Sequence, residues 1–458
     1  MKDFYRDILP ELSADSGFEK LAGERAVFLL GTDYYIGAPK THEQRVAITP
    51  DQAALLKQWL AELGVELELL VVSDAGKNAG FGNELYRRAG AVIVSEAELA
   101  HLNPAPQVVH ALKESTHYEA TIPGPFVRIG ALHSGDFKAG CGLADVLLRG
   151  NACGIFDGSA VGGFAYAGDF AVKPKFRIPL RSSMSVYAGW LAGEDVGESL
   201  VADETVVVSG GGVVGTSAVN VLLEKHDHQL KKILIIEKFA TRCRELEALY
   251  HHQPKVEIRQ GFDIKAEHLS GAKGFILTIF VQGSGATPKV VDTHQIACMK
   301  EGGVIVDVAI DEGGGIKIPK EDKIDPATGK PYAVTVEEIR EVVEHLPVPL
   351  AYHADNHMPR RRPREASIEH GKTALMYLGA LLYLCALKKG PRGALNFIMD
   401  HDYIEPPKTI LDALLLDLKH GLAFTQSGNT TVLYRHVLKK SDEIHQFLSE
   451  NGVSCLFA

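Results

Sequence analysis

The sequence contains few cysteines, and they are not arranged in pairs. Six cysteines are spread over 458 residues, without a CxxC motif and without regular spacing. This pattern excludes the disulfide framework of small secreted domains and the paired cysteines of a structural zinc site. The spacing His353-x-x-x-His357 would suit metal ligation on a helix, but Pro359 and the polar residues around it favour a strand end and a loop. We therefore expect reduced thiols, a cytoplasmic location and no metal.

Long hydrophobic runs and an excess of positive charge are also missing. The longest apolar stretch, residues 374–387, has about 14 residues, whereas a helix that spans a bilayer needs roughly 20. The formal net charge is −10, so no overall field attracts nucleic acid or anionic membranes. We expect neither partner, and we interpret the stretch as a buried or subunit-interface helix.

The chain is long enough for two domains, and its composition (46% hydrophobic, 23% charged) is that of a folded enzyme. From Tyr35 onward, short apolar runs alternate with helical patterns, which predicts βα units and a largely parallel sheet. A second such series begins at Thr205. We expect residues 1–30 to precede the first organised unit, and the chain after Pro363 to be helical to its end. The predicted strands are 65–72, 91–94, 107–112, 127–132, 205–209, 233–236, 274–280 and 304–310.

A glycine motif marks the start of the second series. Gly210-x-Gly212-x-x-Gly215 directly follows the strand expected at 205–209 and opens a helix expected at 216–224. Glycines at these positions permit a tight turn, close approach of the backbone to a pyrophosphate, and close packing of helix on strand. The helix N-terminus offers N–H groups to the phosphates. In this context the motif predicts a dinucleotide site.

The choice between the two nicotinamide dinucleotides depends on Glu237. This residue lies about 20 residues after Gly215, at the tip of the next predicted strand, where a carboxylate can accept hydrogen bonds from the ribose 2′-OH. Its charge would repel a 2′-phosphate, so NAD is favoured over NADP. Lys238 and Arg242 follow closely and weaken that preference, and we count Arg242 with the cofactor-binding residues.

Oxidation of the α-carbon of an amino acid needs a cation for the carboxylate, a group that moves protons on nitrogen and water, and an anion beside the iminium. Ligands of parallel α/β sheets bind at the carboxyl ends of the strands. We therefore expect a site for an amino acid or a 2-oxo acid built from four ionisable residues near predicted strand or helix ends. They are Arg45 before a helix start, Lys113 after strand 107–112, His133 after strand 127–132, and Asp311 after strand 304–310.

These segments resemble the superfamily of alanine dehydrogenases and transhydrogenase α-subunits, which also contains the lysine-forming saccharopine dehydrogenases. The resemblance covers about residues 35–390. Its most specific stretch is Val-Ile-Val-Asp-Val-Ala-Ile-Asp-Glu-Gly-Gly at 304–314. The other matching segments are residues 36–40 with Glu43-x-Arg45-Val46-Ala47, residues 111–114 (Ala-Leu-Lys-Glu), Leu132-His133, and residues 179–189.

The resemblance implies a role for each matched residue. Arg45 would hold the substrate carboxylate, and Lys113 would bind the substrate and take part in catalysis, with Glu114 beside it in the substrate site. The remaining assignments are His133 as the acid–base, Asp311 facing the nicotinamide and the substrate nitrogen, and Ser185 near the cofactor phosphates.

The resemblance also implies an α/β fold of two doubly wound, Rossmann-like domains with an interdomain cleft. We place an N-terminal extension at residues 1–30, the catalytic domain at 31–182 plus 357–458, and the NAD-binding domain at 183–356. Members are commonly oligomeric, so we expect a homo-oligomer.

Two departures from the family pattern leave the substrate open. The family's Asn-Met-Pro-Gly turn reads Asn356-His357-Met358-Pro359 here, and Arg360-Arg361-Arg362 replaces small residues. The basic run favours a substrate with extra carboxylates, such as an opine-type secondary amine, although a basic loop facing a neighbouring subunit or solvent fits equally. The alternatives are an alanine dehydrogenase-like enzyme, a saccharopine dehydrogenase-like enzyme, and a transhydrogenase-like NAD-binding subunit or non-catalytic NAD sensor.

Overall fold

The short apolar segments of the chain form the strands of two mostly parallel sheets. A computed structural model describes residues 20–31, 43–112, 117–130, 151–157, 165–167, 170–172, 182–279, 288–310, 313–324, 326, 332, 334–355, 358–394, 414–417 and 422–423. The chain divides into unit 1, residues 1–167, 172–183 and 360–458, and unit 2, residues 168–171 and 184–359.

The elements are numbered here in chain order. The strands are β1 (Glu24–Leu30), β2 (Val65–Val72), β3 (Val92–Val94), β4 (Val108–His110), β5 (Phe126–Gly130), β6 (Ala152–Asp157), β7 (Ala165–Ala167), β8 (Phe170–Val172), β9 (Glu204–Ser209), β10 (Leu230–Glu237), β11 (Val256–Gln260), β12 (Gly274–Leu277), β13 (Val291–Asp292), β14 (Gly303–Asp307), β15 (Ile316–Lys317), β16 (Leu350–His353), β17 (Leu414–Asp417) and β18 (Leu422–Ala423). The α-helices are α1 (Pro50–Glu62), α2 (Asn83–Arg88), α3 (Ser182–Gly197), α4 (Val213–His226), α5 (Ala240–Tyr250), α6 (Ala266–Leu269), α7 (Thr293–Ile296), α8 (Val336–Glu344) and α9 (Pro363–Leu387).

The sheet of unit 1 has the strand order β3-β2-β1-β4-β5-β6-β17-β18. Strands β1 to β6 are parallel to one another, whereas β17 is antiparallel to both β6 and β18. The first six strands therefore have the 3-2-1-4-5-6 order of a doubly wound fold, in which the strand order reverses between β1 and β4 although both strands are parallel. Ligands of such sheets bind outside the carboxyl ends at that switch point.

The sheet of unit 2 repeats this order. Its strands are in the order β11-β10-β9-β12-β14-β16 and are all parallel, and the strand order reverses between β9 and β12. β13 and β15 form a separate two-stranded sheet. The expected α/β fold with two doubly wound, Rossmann-like units is confirmed. The expected interdomain cleft stays a prediction.

Strand β1 corrects the expectation that residues 1–30 precede the first organised unit. Glu24–Leu30 is an inner strand of unit 1, paired with β2 on one side and β4 on the other. Its side chains from Ala26 to Leu30 are almost fully buried on both faces of the sheet. Burying one such side chain contributes about 1.5–3 kcal/mol, so this apolar run is a central strand rather than an extension.

The second correction concerns the end of the chain. Residues after 363 were expected to be helical throughout, but Leu414–Asp417 and Leu422–Ala423 are strands at one edge of the unit 1 sheet. The 25-residue helix α9 does contain the apolar stretch, and its residues Leu378 to Leu384 pack in the core of unit 1. Within the described ranges, no helix is both long and apolar enough to cross a membrane.

Candidate active site

The glycine loop lies at the switch point of unit 2, between β9 and α4. Gly210 has φ of 92°, a left-handed conformation that glycine adopts without strain. The Thr278 hydroxyl, just after β12, donates to the Ser209 carbonyl at 2.6 Å and to the Gly210 carbonyl at 3.1 Å. The predicted strand–loop–helix unit is therefore confirmed, and it occupies the edge of the sheet where ligands bind.

The other two glycines of the motif have different surroundings. A Cβ on Gly215 would lie 2.0 Å from the Gly210 carbonyl oxygen, so only glycine lets α4 pack this closely on the loop. A Cβ on Gly212 would have no atom of the described chain within 4 Å. Gly212 is the N-cap of α4, and no side chain caps that helix end. An open glycine beside an uncapped helix N-terminus fits a pyrophosphate.

Glu237 and Arg242 both hold the loop residue Gly211. Glu237 ends β10 and is buried; its Oε2 accepts from the Gly211 N–H at 2.8 Å, and its Oε1 accepts from the Phe239 N–H at 3.0 Å. The Arg242 Nε donates to the Gly211 carbonyl at 2.8 Å, and its Nη1 pairs with Glu245 at 2.7 Å. The carboxylate therefore lies against the loop, where a dinucleotide-binding fold needs a ribose acceptor.

Ser185 lies near the start of α3, a helix that packs closely on α4. The Ser217 hydroxyl of α4 donates to the Val186 carbonyl at 2.6 Å. A Cβ on Gly189 would lie 2.1 Å from the Val214 carbonyl oxygen, so glycine is required for this approach. Ser185 thus adjoins a contact with the helix that follows the glycine loop.

In unit 1, Arg45 is buried and forms an ion pair with Glu43. Its Nε and Nη2 donate to the two Glu43 carboxylate oxygens at 2.7 and 2.9 Å. This is the two-bond geometry in which a guanidinium binds any carboxylate. A substrate carboxylate that uses the same edge of Arg45 must therefore replace Glu43.

The segment after Arg45 is anchored by long-range hydrogen bonds. The Ser367 hydroxyl of α9 accepts from the Val46 N–H at 2.9 Å, and the Tyr86 hydroxyl donates to the Ile48 carbonyl at 2.8 Å. These contacts fix the backbone that carries Arg45 to two helices of unit 1.

The other predicted substrate residues, Lys113, Glu114, His133 and Asp311, lie outside the described residues. The strands that precede three of them are in place. β4 and β5 are adjacent, and β4 ends at the switch point, where the Gly31 N–H donates to the His110 carbonyl at 2.8 Å. Lys113 follows β4 by three positions and His133 follows β5 by three positions.

Three buried polar residues near these strand ends were missed by the sequence analysis. Arg128 of β5 and Glu119 of a neighbouring 3₁₀ turn form a fully buried ion pair at 2.8 Å. His110 of β4 is also fully buried, and its Nδ1 donates to the Ile129 carbonyl at 2.9 Å. Burial lowers the pKa of His110 to about 3, because the charged ring would lose its hydration. A charged residue within a buried strand was the available signal for Arg128.

Asp307, at the end of β14, is a fourth residue that was missed. Strand β14 ends there rather than at residue 310. The fully buried carboxylate accepts from the N–H groups of Ala309 and Gly315, both at 3.0 Å, and from the Tyr352 hydroxyl at 3.1 Å. Burial raises the pKa of Asp307 to about 6 despite these hydrogen bonds. Both ends of the segment that contains Asp311 are thus bonded to one carboxylate.

In the described part of the chain, no three His, Cys, Asp or Glu side chains are grouped so that they could hold a metal ion.

Comparisons with known proteins give matches to both parts of one family. The N-terminal domain of the alanine dehydrogenase/PNT family matches residues 39–137, and its C-terminal domain matches residues 188–382. An alanine dehydrogenase 1 from Staphylococcus aureus (strain bovine RF122 / ET3-1) is 27% identical over 297 residues, which is 61% of this chain and 72% of that protein. The protein of the same name from strain NCTC 8325 / PS 47 has the same identity and coverage.

Two solved structures are similar in fold. A structure of an L-alanine dehydrogenase superposes with a TM-score of 0.62 at 20% identity, over 90% of this chain and 99% of that one. A transhydrogenase from Sinorhizobium meliloti superposes with a TM-score of 0.55 at 17% identity, over 79% and 96% of the two chains. With the two domain matches, which together span more than half of the sequence, the chain belongs to the alanine dehydrogenase/PNT family.

Proposed function

We propose that this chain is an NAD-dependent oxidoreductase that acts on the C–N bond of an amino acid, by oxidative deamination or, in reverse, reductive amination of a 2-oxo acid. The observation that carries the proposal is the glycine loop at the switch point of unit 2, with the Glu237 carboxylate bonded to Gly211. Family membership supports the reaction class, because the relatives reported above are named alanine dehydrogenases.

The residues of unit 2 would hold the dinucleotide. The uncapped N-terminus of α4 and the open face of Gly212 suit its pyrophosphate, and Ser185 would lie near the phosphates. Glu237 would accept from the ribose 2′-OH, and its negative charge disfavours NADP. The bound dinucleotide supplies the acceptor for the substrate's hydride.

In unit 1, Arg45 would bind the substrate carboxylate in exchange for Glu43. The two-bond geometry already present with Glu43 would then fix the orientation of the α-carbon. Lys113, with Glu114 beside it, would bind the same substrate from the end of β4.

His133 and Asp311 would handle the proton and the charge. When the α-carbon loses its hydride, the substrate becomes an iminium, and the Asp311 carboxylate stabilises its positive charge. His133 takes a proton from the water that attacks the iminium carbon and returns one to the departing amine. The products are a 2-oxo acid and ammonia.

The test is an NADH absorbance assay with the purified full chain. Amino acids are screened in the oxidative direction, and 2-oxo acids with ammonia in the reductive direction. Substrate-dependent formation or consumption of NADH is expected. Its absence across the whole screen would overturn the proposal and favour a transhydrogenase-like NAD-binding subunit or a non-catalytic NAD sensor.

The opine-type alternative differs only in the nitrogen donor. It is favoured by Arg360-Arg361-Arg362, a basic run ahead of α9 whose last two residues are exposed. The reductive screen therefore includes amino acids as donors beside ammonia. Turnover with ammonia alone would exclude this alternative, and turnover only with an amino-acid donor would replace the primary proposal. Light scattering of the same sample tests the predicted homo-oligomer.

A further inference from the structure

A fully buried guanidinium ties together the ends of two neighbouring strands in unit 1. The Arg128 side chain belongs to β5, and its Nε donates to Glu119 Oε2 at 2.8 Å. Neither side chain has any solvent-exposed surface. This is the environment in which ionic groups lose most hydration.

The same guanidinium also contacts the backbone at the ends of β4 and β5. Its Nη1 donates to the Ala111 carbonyl, directly after β4, at 3.2 Å, and it contacts the Ile129 carbonyl of β5. The His110 ring donates to that same Ile129 carbonyl at 2.9 Å. The backbone ladder already pairs β4 with β5 as far as His110 and Ile129, and the Arg128 side chain adds a second link between the two strand ends.

Stability alone does not account for this arrangement. Replacing a buried ion pair by apolar side chains of similar volume is often neutral or stabilising, because the desolvation of both charges is avoided. Two buried atoms of the cluster, Glu119 Oε1 and His110 Nε2, have no hydrogen-bond partner in the described part of the chain. Such groups are costly in a folded protein, and each calls for an explanation other than packing.

The position of the cluster in the sequence suggests a role for it other than packing. Lys113 follows Ala111 by two residues, and His133 follows Ile129 by four. We propose that the Arg128–Glu119 pair is a positioning device that holds the ends of β4 and β5, the strands that Lys113 and His133 follow in the sequence, in the arrangement that turnover requires. This inference rests on the proposed function of those two residues. Arg128 and Glu119 are positioning residues, not catalytic ones, because nothing assigns them contact with substrate.

The consequence is specific to turnover. A displacement of about 1 Å in a catalytic group can cost 10²-fold in rate. We expect cofactor binding to be unaffected, because the pair belongs to unit 1 and the proposed cofactor residues belong to unit 2. The variant Arg128→Met with Glu119→Leu removes both charges at similar volume. We expect it to fold with a melting temperature equal to or above that of the wild type, to lose about 10²-fold in kcat, and to keep the wild-type KM for NAD. The pH dependence of kcat/KM should shift as well, because the proton-transferring groups are displaced.

A conservative variant and a control variant test whether the effect on kcat is specific to this ion pair. Arg128→Lys retains the charge but lacks the planar fork that reaches Glu119 and Ala111 together, so it should preserve folding without restoring kcat. The control is Lys300→Met with Glu204→Leu, which removes an ion pair of 2.7 Å in unit 2. Glu204 is the first residue of β9, so this pair lies at the amino end of a strand, away from the carboxyl ends where ligands bind. It should leave kcat and the pH profile unchanged.

The outcomes separate this inference from the proposed function. If the wild type oxidises an amino acid and the Arg128→Met, Glu119→Leu variant stays within about threefold of its kcat, the positioning role is wrong and the function stands. If the wild type shows no activity, the proposed function fails. In that case amide hydrogen exchange at the ends of β4 and β5 tests only whether the pair holds these strand ends: faster exchange in the double variant, at unchanged global stability, supports that contact, and unchanged exchange overturns it.

Discussion

The Glu237 carboxylate accepts a hydrogen bond from the Gly211 N–H at 2.8 Å, which joins the tip of β10 to the glycine loop. Arg242 bonds the carbonyl of the same glycine, so both polar groups of Gly211 are held by charged side chains. Glu237 therefore has a structural role at the glycine loop, in addition to the cofactor selection that we propose for it.

We predict that Glu237→Gln weakens the discrimination against NADP. Glutamine keeps one oxygen acceptor for the loop but carries no negative charge to repel a 2′-phosphate. We expect the ratio of the NADPH and NADH dissociation constants to fall by about tenfold, equivalent to about 1.4 kcal/mol. Fluorescence titration with each nucleotide measures this ratio without requiring a substrate.

The matched control for that experiment is Glu257→Gln. Glu257 lies on the neighbouring strand β11, where it pairs with Lys232 and Arg259. The substitution removes the same charge away from the glycine loop, so the ratio should stay at the wild-type value. An unchanged ratio in Glu237→Gln would remove this residue from cofactor selection.

The two glycines Gly212 and Gly215 should respond differently to substitution by alanine. In Gly215→Ala the new methyl group would lie 2.0 Å from the Gly210 carbonyl oxygen, so α4 must move and unit 2 should lose about 1–3 kcal/mol of stability. In Gly212→Ala the methyl group meets no atom of the described chain, so the melting temperature should hold while NADH affinity falls at least tenfold. Equal NADH affinity in Gly212→Ala and wild type would place the pyrophosphate elsewhere.

Local patterns predicted the parts of the fold that local residues determine. The glycine loop was identified because strand, turn and helix are contiguous between Glu204 and His226. The N-terminal strand Glu24–Leu30 was not identified, because the family resemblance starts after it and the first described helix beyond it begins at Pro50. An isolated apolar run of this length carries no periodicity that identifies its place in a sheet.

The long-range partners of the buried polar groups could not be predicted from sequence patterns, for a different reason. Asp307 bonds to Tyr352, 45 residues away, and Ser367 bonds to Val46, 321 residues away. No local periodicity encodes such pairings, because they depend on which strands become neighbours. Glu43 and Arg45 are only two residues apart, yet their ion pair also depends on the backbone anchored by α9.

We predict that His133→Ala lowers turnover by about 10²–10⁴-fold, because proton transfer by a positioned histidine contributes about that factor. The measurement is kcat on the best substrate of the NADH screen. His228→Ala, which removes an exposed histidine of unit 2, serves as the control and should retain wild-type kcat. Near-normal turnover in His133→Ala would exclude this residue from the mechanism.

The buried His110 should make the protein sensitive to acid. Its pKa falls to about 3 in the fold, so between that value and the ordinary value of 6.5 the unfolded chain binds a proton that the native ring does not. Stability is therefore lost as the pH falls through this window, by about 1.4 kcal/mol for each pH unit. Asparagine retains a donor for the Ile129 carbonyl and does not titrate, so His110→Asn should show a shallower loss of unfolding free energy from about pH 6 to about pH 4. The control is His228→Asn, which removes a histidine that is exposed in the fold and should leave the pH dependence of the unfolding free energy as in the wild type. If His110→Asn loses stability with falling pH as steeply as the wild type, His110 is not the source of the acid sensitivity.

Asp307 should affect the pH dependence of stability in the direction opposite to His110, so that stability falls as the pH rises. Its pKa is raised from 3.8 to about 6, so between these values the native carboxyl keeps a proton that the unfolded chain releases. Its contribution to stability is present below about pH 4 and is lost as the pH rises to about 6, by roughly 3 kcal/mol in total. The wild type should therefore lose about that much stability relative to Asp307→Asn between pH 4 and pH 7, as measured by urea unfolding at each pH. Asp263→Asn, which removes an exposed carboxylate of the same unit, should show no such difference. The contrary result is a difference in unfolding free energy between wild type and Asp307→Asn that does not vary with pH. It would mean that the Asp307 carboxyl is ionised throughout this range and that burial does not raise its pKa.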